Sequence, residues 1–413
     1  MKYKVVIVSS GQPSANPRAV KEAILLAENN YEVTLIYCPI SKWADSFDKI
    51  IFEKYKNIKW IKAGYHFNDN YFLYNYARAR NKIWALGYKI FNNKFNAATK
   101  SSILFYQELN KVTQSIKSDL YIGHNLGALP VIINAAKKYK AKCIFDFEDF
   151  HRGEHSYIGK EWAKIKTVED EFAIHLDFAF AASPLIAEQY STLYNNIKIS
   201  TTNNCFPINY SKDRLINLPN LPIKLFWFSQ TLGKERGVEI IIKALGKLKQ
   251  NCFELTLLGN HTNEMKNYFD QFAIDNNFDY KNIKYLEPVF ENEIVTIAAN
   301  HHIGIASELQ TTVNRDICLT NKIFMYLLAG NAIIFSKTKG QELFLNENKN
   351  IGLLFDTQNE DSLSEILDNY LQNSSFLNKH RIESFNLGKT VFNWDIEKKQ
   401  HLNNIVNIMQ KSS

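Results

Sequence analysis

Residues 4–37 read KVVIVSSGQPSANPRAVKEAILLAENNYEVTLIY, and this stretch decides the class of fold. Residues 4–8 are a short, nearly continuous apolar run, the kind of strand that is buried on both faces of a parallel sheet. Asn16-Pro17 comes next: asparagine accepts from the first free amides of a helix, and proline suits the first helical position, where an N–H has no partner anyway. Residues 19–28 keep a helical apolar spacing, and residues 31–37 form a second strand. Strand, helix and strand in this order make a βαβ unit, and hence a parallel sheet with helices on its faces.

The same rhythm continues at 119–123 with 129–138, and again at 142–146. Residues 212–222, KDRLINLPNLP, have two prolines and little periodicity, the signature of a linker. Beyond it the alternation restarts: strand 225–228, helix 238–248, strand 253–258 ending at Gly259, helix 294–299, strand 303–306, helix 322–328 closed by Gly330, and strand 332–336. The spacing predicts α/β architecture in two Rossmann-like doubly wound domains, residues 1–215 and 222–393, facing across a cleft. Residues 394–413 are expected to be a C-terminal helix that packs back on the first domain. Such sheets bind ligands outside the carboxyl ends of their strands.

The 413 residues are 46% hydrophobic and 22% charged, which suits a folded, water-soluble protein and excludes a disordered chain. Forty-nine Lys and Arg against forty-two Asp and Glu leave +7, too little for a dedicated nucleic-acid binder. Cys38, Cys143, Cys205, Cys252 and Cys318 stand singly, which argues against a zinc site or disulfide framework and for a reducing compartment. The V-V-I-V near the start is too short for a signal sequence, and no run nears the roughly 20 apolar residues of a membrane span. The expected location is cytoplasmic, peripheral at most to the inner face of the cell membrane.

The strand ends narrow the chemistry. The loop from Ser9 to Arg18 is not G-x-G-x-x-G, and Tyr37-Cys38-Pro39 offers no acidic residue for a ribose, so a nicotinamide dinucleotide is disfavoured. Gly11 lies in a small-residue loop at a helix N-terminus, a ligand loop or simply a capped turn. Lys234 and Arg236 precede one helix in the second half, and Asn321 and Lys322 open another. A cation there opposes the helix dipole by roughly 0.3–1 kcal/mol. Two such loops at one sheet edge point to a phosphate or diphosphate held by side chains and helix amides, the alternative being solvated lysines. His124 directly follows its strand, and Asp146, Glu148 and Asp149 cluster after the next one. These carboxylates could bind acceptor hydroxyls, act as a base, or merely cap Arg152 and its loop.

Five stretches together resemble a GT-B glycosyltransferase of the group-1, family-4-like type: GQPSANPRAVKEA at 11–23, DLYIGHNLGALP at 119–130, IFDFEDF at 144–150, FWFSQTLGKERGVE at 226–239, and NRDICLTNKIFMYLLAGNAIIFS at 314–336. The resemblance runs over nearly the whole chain. It implies transfer of a sugar from a nucleotide-sugar donor to a hydroxyl of a glycan or lipid-linked acceptor, in surface polysaccharide or glycoconjugate synthesis. It also implies retention of configuration, no metal, and no cofactor beyond the nucleotide sugar as substrate. By the same resemblance Arg236 stands where the family has the lysine of its phosphate-binding pair, and Thr231 replaces the partner arginine. The family's two glutamates fall on Ile317 and Met325. Glu308, Asn314 and Arg315 are then candidates for donor contacts beside Gly11, Lys234, Arg236, Asn321 and Lys322, and His124 and Glu148 for catalysis. The missing glutamates leave open a catalytically silent GT-B partner protein, and a GT-B sugar-nucleotide epimerase is the other alternative.

Residues 70–107 contain no Asp or Glu but six cations, Arg78, Arg80, Lys82, Lys89, Lys94 and Lys100, interleaved with aromatics. A basic aromatic helix of this kind reads as an element for an anionic membrane surface. An ordinary domain surface would look similar, and nucleic acid is disfavoured because no recognition motif accompanies it.

Overall fold

The computed structural model describes residues 2–155, 159–213, 217–249 and 251–410. It divides into two compact units. The first comprises Met1–Thr202, Thr312–Asn314 and Lys398–Ser413, and the second Asn203–Thr311 and Arg315–Glu397. The centre of the proline-bearing stretch at 212–222, including residue 215, lies outside the described residues.

The first unit is built on seven parallel strands: β1 (Lys4–Ser9), β2 (Glu32–Tyr37), β3 (Lys59–Lys62), β4 (Leu120–His124), β5 (Lys142–Phe147), β6 (Phe178–Ala181) and β7 (Ile199–Thr201), in the order β3-β2-β1-β4-β5-β6-β7. Val5–Val8 are completely buried, as the apolar run requires of a strand covered on both faces. Asn16 caps the helix Pro17–Glu28 by accepting from the amide of Ala19 at 3.1 Å, with proline at the first position. The helix Trp394–Gln410 ends in this unit, where Ile405 and Met409 join the core formed by Val5, Ile7, Ile122 and Phe180.

The second unit has six parallel strands: β8 (Ile223–Thr231), β9 (Phe253–Asn260), β10 (Ile283–Leu286), β11 (Ile303–Ala306), β12 (Ala332–Ser336) and β13 (Gly352–Phe355), in the order β10-β9-β8-β11-β12-β13. The helix Asn321–Ala329 ends at Gly330, whose φ of 72° closes it in the left-handed region.

Both sheets reverse direction once, between β1 and β4 in the first and between β8 and β11 in the second. A crevice opens at such a switch point because the crossovers on either side leave to opposite faces. In the first unit Ser9 and His124 are register partners there, with Asp146 beside His124 on the next strand.

Candidate functional site

At the switch point of the second unit, the turn after β8 carries Arg236, whose Nη1 donates to Ser229 Oγ at 2.5 Å and to the Thr231 carbonyl at 3.4 Å. Gly237 follows at φ 89°, and a Cβ there would come within 2.6 Å of the Ser307 side chain. Only glycine permits this approach, so the turn after β8 sits directly on the residue that follows β11. Ser307 locks the contact: its Oγ accepts from Trp227 Nε1 at 2.8 Å and donates to the Arg236 carbonyl at 3.2 Å.

The next residue, Glu308, is buried, and its amide donates to Ser336 Oγ at 2.7 Å. Its carboxylate accepts from Lys322 Nζ at 2.9 Å and from Arg315 Nη1 at 2.8 Å. The Lys322 ammonium also lies 5.5 Å from the centre of the Trp227 ring. Lys322 and Asn321 stand in the first turn of Asn321–Ala329, whose N-cap, Thr320, makes no side-chain capping bond. Arg236, Lys322, Arg315 and Glu308 are thus brought to one sheet edge. Lys234 is not part of the group, since its ammonium lies over the Tyr268 ring at 4.2 Å. Ile317 and Met325 are buried, Met325 in the apolar core of this unit, so no polar group replaces the family's glutamates at either position.

At the switch point of the first unit, the ends of β1, β4 and β5 build a buried ionic cluster. Arg18 holds Asp146 with two bonds, Nε to Oδ2 at 2.5 Å and Nη2 to Oδ1 at 3.0 Å, and donates to the Thr202 carbonyl at 2.7 Å. His124 has no exposed surface. Its Nδ1 lies 2.7 Å from Glu148 Oε1 and its Nε2 2.8 Å from Glu22 Oε2. A ring between two carboxylates satisfies both only when both nitrogens carry a proton. Burial opposes that charge, but the bonds to Glu148 and Glu22 outweigh it and lift the imidazole to about 10. Glu22 obeys the same balance: burial pushes it up, and the bonds from His124 and His401 bring it down to about 2.

Glu148 also accepts from Asn16 Nδ2 at 2.8 Å and from Asn125 Nδ2 at 3.2 Å. Against its burial, His124 and the Asn16 and Arg18 groups hold it below the usual carboxylate range. Its side chain is 17% exposed while those of His124 and Glu22 are closed off, so Glu148 is where the cluster reaches solvent. Gly11 lies nearby, its amide donating to Ser9 Oγ at 3.2 Å and Ser9 Oγ to Asn125 Oδ1 at 3.3 Å. Asn314, counted with the first unit, donates to Asp149 Oδ1 at 2.8 Å and accepts from the Phe150 amide at 2.8 Å. Nitrogen and oxygen atoms of His124, Asp146 and Glu148 lie within 4.8 Å of one another, as metal ligands do. Arg18 brings a positive charge to the same place, on Asp146.

Two members of this cluster escape a reading of strand ends. Glu22 sits among Ala19, Ala23 and Leu26 on the buried stripe of its helix, and His401 occupies the same kind of position above Ile405. An ionisable residue on an apolar stripe was the available signal.

Residues 236–381 match the protein-family model described as glycosyl transferase-like. Among proteins of curated function, none matches the sequence. Solved structures align over the whole chain. Anabaena HepE, solved in complex with UDP and glucose, superposes with a TM-score of 0.70 at 13% identity, covering 98% of this chain and 100% of that one. Sucrose-phosphate synthase from Thermosynechococcus elongatus gives 0.72 at 13% identity over 100% of both chains. The fold is GT-B. A glycosyltransferase from Rickettsia africae shares it, with a TM-score of 0.67 at 14% identity over 99% of each chain. Arg236, Glu308, Arg315 and Lys322 all lie inside the residues that match the family model.

Proposed function

We propose that the chain is a glycosyltransferase that moves a sugar from a nucleotide-sugar donor to a hydroxyl of a glycan or lipid-linked acceptor, in surface polysaccharide or glycoconjugate synthesis. The observation that carries this reading is that the turn bearing Arg236 packs on Ser307 while Lys322 pairs with Glu308, the next residue, at the switch point of β8 and β11 and beside a helix N-terminus without a side-chain cap. Cations and oriented amides placed in advance stabilise the charge that grows on a departing diphosphate without reorganising. Arg236, Asn321 and Lys322 would hold that diphosphate, and no metal is needed for the role. HepE is solved with UDP-glucose, which makes a UDP-sugar the first donor to try.

The acceptor would lie against the first unit near Gly11, with Glu148 accepting a hydrogen bond from the attacking hydroxyl and His124 holding that carboxylate in place. An imidazolium cannot take up a proton, so His124 acts through Glu148. Departure of the diphosphate from the face the acceptor then uses gives retention. A thermal-shift series with UDP, GDP, ADP and their glucose conjugates tests the donor reading, because a ligand of the folded state raises the melting temperature. No shift with any of them would remove it. The burial of Met325 favours one other reading, a silent GT-B partner, which would bind nucleotide without turnover.

The helix Tyr71–Phe91 supports a membrane-facing acceptor. Phe72 (83% exposed), Tyr76, Ile83 (67%), Leu86 and Ile90 project along one face. Arg78, Lys82 and Lys89 are exposed along one flank of that stripe. An apolar stripe with cations beside it matches an anionic lipid interface, to which each cation contributes about 1 kcal/mol. Arg80 drops out of the count, since it pairs with Glu108 at 2.8 and 2.6 Å. Among the described residues no helix is long and apolar enough to cross a membrane. The apolar stripe and its flanking cations support the reading of a peripheral protein, placed on the cytoplasmic face in this proposal.

A further inference from the structure

The Glu308 carboxylate stands among the cations that the donor's diphosphate needs. Its Oε1 takes Lys322 and its Oε2 takes Arg315, so one buried anion is shared by two cations. Lys322 has little freedom to turn away: its side chain is 11% exposed and rests against the Trp227 ring. The Glu308 backbone is fixed by its amide, which donates to Ser336 Oγ at 2.7 Å.

We infer that Glu308 is a counter-carboxylate that occupies Lys322 while the donor site is empty and sets how tightly a diphosphate is held. This rests on the reading of the Arg236–Lys322 edge as the donor site. A diphosphate arriving there either draws Lys322 from Oε1 or shares its ammonium with Glu308. In both cases it sits close to a buried carboxylate of its own sign. Two cations on one carboxylate make the exchange feasible, because Arg315 stays on Oε2 and Glu308 is not left buried and unpaired. The reverse exchange helps expel the nucleoside diphosphate after transfer, a step that often limits turnover. Glu308 therefore acts on the affinity for the donor's phosphates rather than on its sugar or ribose.

Calorimetry with inorganic pyrophosphate and with UDP tests this on the full chain. Glu308→Gln keeps the size and hydrogen-bonding reach but removes the charge, and is expected to tighten binding of both probes by about tenfold or more, the scale of one like charge removed near a bound anion. Glu308→Asp, which keeps the charge, should bind more weakly than Glu308→Gln. Lys322→Met is expected to weaken binding, and adding Glu308→Gln to it should recover affinity. That double variant replaces a buried ion pair with a neutral one and serves if Glu308→Gln alone does not fold. If Arg236→Ala weakens both probes while neither Glu308→Gln nor the double variant tightens them, the counter-carboxylate role is overturned and the donor site stands. If the wild-type protein binds neither probe, the donor site falls and this inference with it.

Discussion

His401 and Glu22, 379 positions apart, meet in the core of the first unit, with His401 Nε2 donating to Glu22 Oε1 at 2.7 Å. The His401 ring also stacks on Phe180 at 3.9 Å, and its Nδ1 lies 3.2 Å from Thr202 Oγ1. The chain of contacts from His401 through Glu22 and His124 to Glu148 ends at the one carboxylate that reaches solvent. His401→Ala removes a donor from a buried carboxylate and is expected to destabilise the protein by roughly 1–3 kcal/mol. His401→Gln, which can still donate, should cost less. Urea unfolding of both variants checks the order, and an equal loss in the two would mean that ring packing, not the hydrogen bond, matters.

The Glu22–His124 pair predicts a pH dependence with a definite sign. Glu22 is lowered from 4.5 to about 2, so its share of stability is complete above 4.5 and disappears as the pH falls through about 2. His124 is raised from 6.5 to about 10, so its share is complete below 6.5 and is lost as the pH rises through about 10. These are two ends of one interaction and are not added. Stability from this pair should peak between 4.5 and 6.5 and decline steadily on the alkaline side. In Glu22→Gln the alkaline decline measured by chemical denaturation should be shallower, and an unchanged slope would refute the pairing.

At the donor edge, Arg236→Ala should weaken UDP-sugar binding by roughly tenfold or more, the worth of one charge-assisted hydrogen bond. Lys234→Ala should matter much less, because its ammonium is turned to Tyr268. Titration calorimetry on both variants decides, and the opposite ranking would move the phosphate site to the other side of the turn.

Met325→Glu would restore the residue type of the resembled family and is nonetheless expected to damage the fold. The side chain is completely buried in an apolar cluster with Phe324 and Phe335. An unpaired carboxylate there costs several kcal/mol. The melting temperature should fall sharply, and a stable, more active variant would show that the helix can turn this position toward the donor.

The helix Tyr71–Phe91 should bring the protein down with anionic vesicles, less with neutral ones, and be partly released by salt as the Debye length shrinks from about 10 Å at 0.1 M to about 3 Å at 1 M. Replacing Arg78 and Lys82 by Ser should lower vesicle binding without changing donor affinity. Equal sedimentation with all vesicles and with none would return this helix to an ordinary surface role.

Much of the fold was legible because local rules decide it. A V-V-I-V strand has to be covered on both faces, Asn16-Pro17 starts a helix, and Gly330 ends one. The loops that gather at the strand ends were legible too, since parallel topology leaves them nowhere else. What stayed hidden is pairing at long range. Nothing near Arg80 reveals that Glu108, 28 positions on, pairs with it and offsets its charge. Nothing near Lys322 reveals that Glu308 occupies it. The Glu22–His401 contact is beyond any local pattern, although each residue marks itself as a charge on an apolar stripe.

The helix that ends the described chain completes the unit that begins it. Until residue 401 has left the ribosome, Glu22 lacks one of its donors and the core lacks Ile405 and Met409. Synthesis normally lets the amino-terminal domain fold first. Here the second unit, Asn203–Thr311 and Arg315–Glu397, is made in full before the first can finish. A fragment of residues 1–202 is accordingly expected to be readily cleaved by protease and to gain resistance when a peptide of residues 394–410 is added.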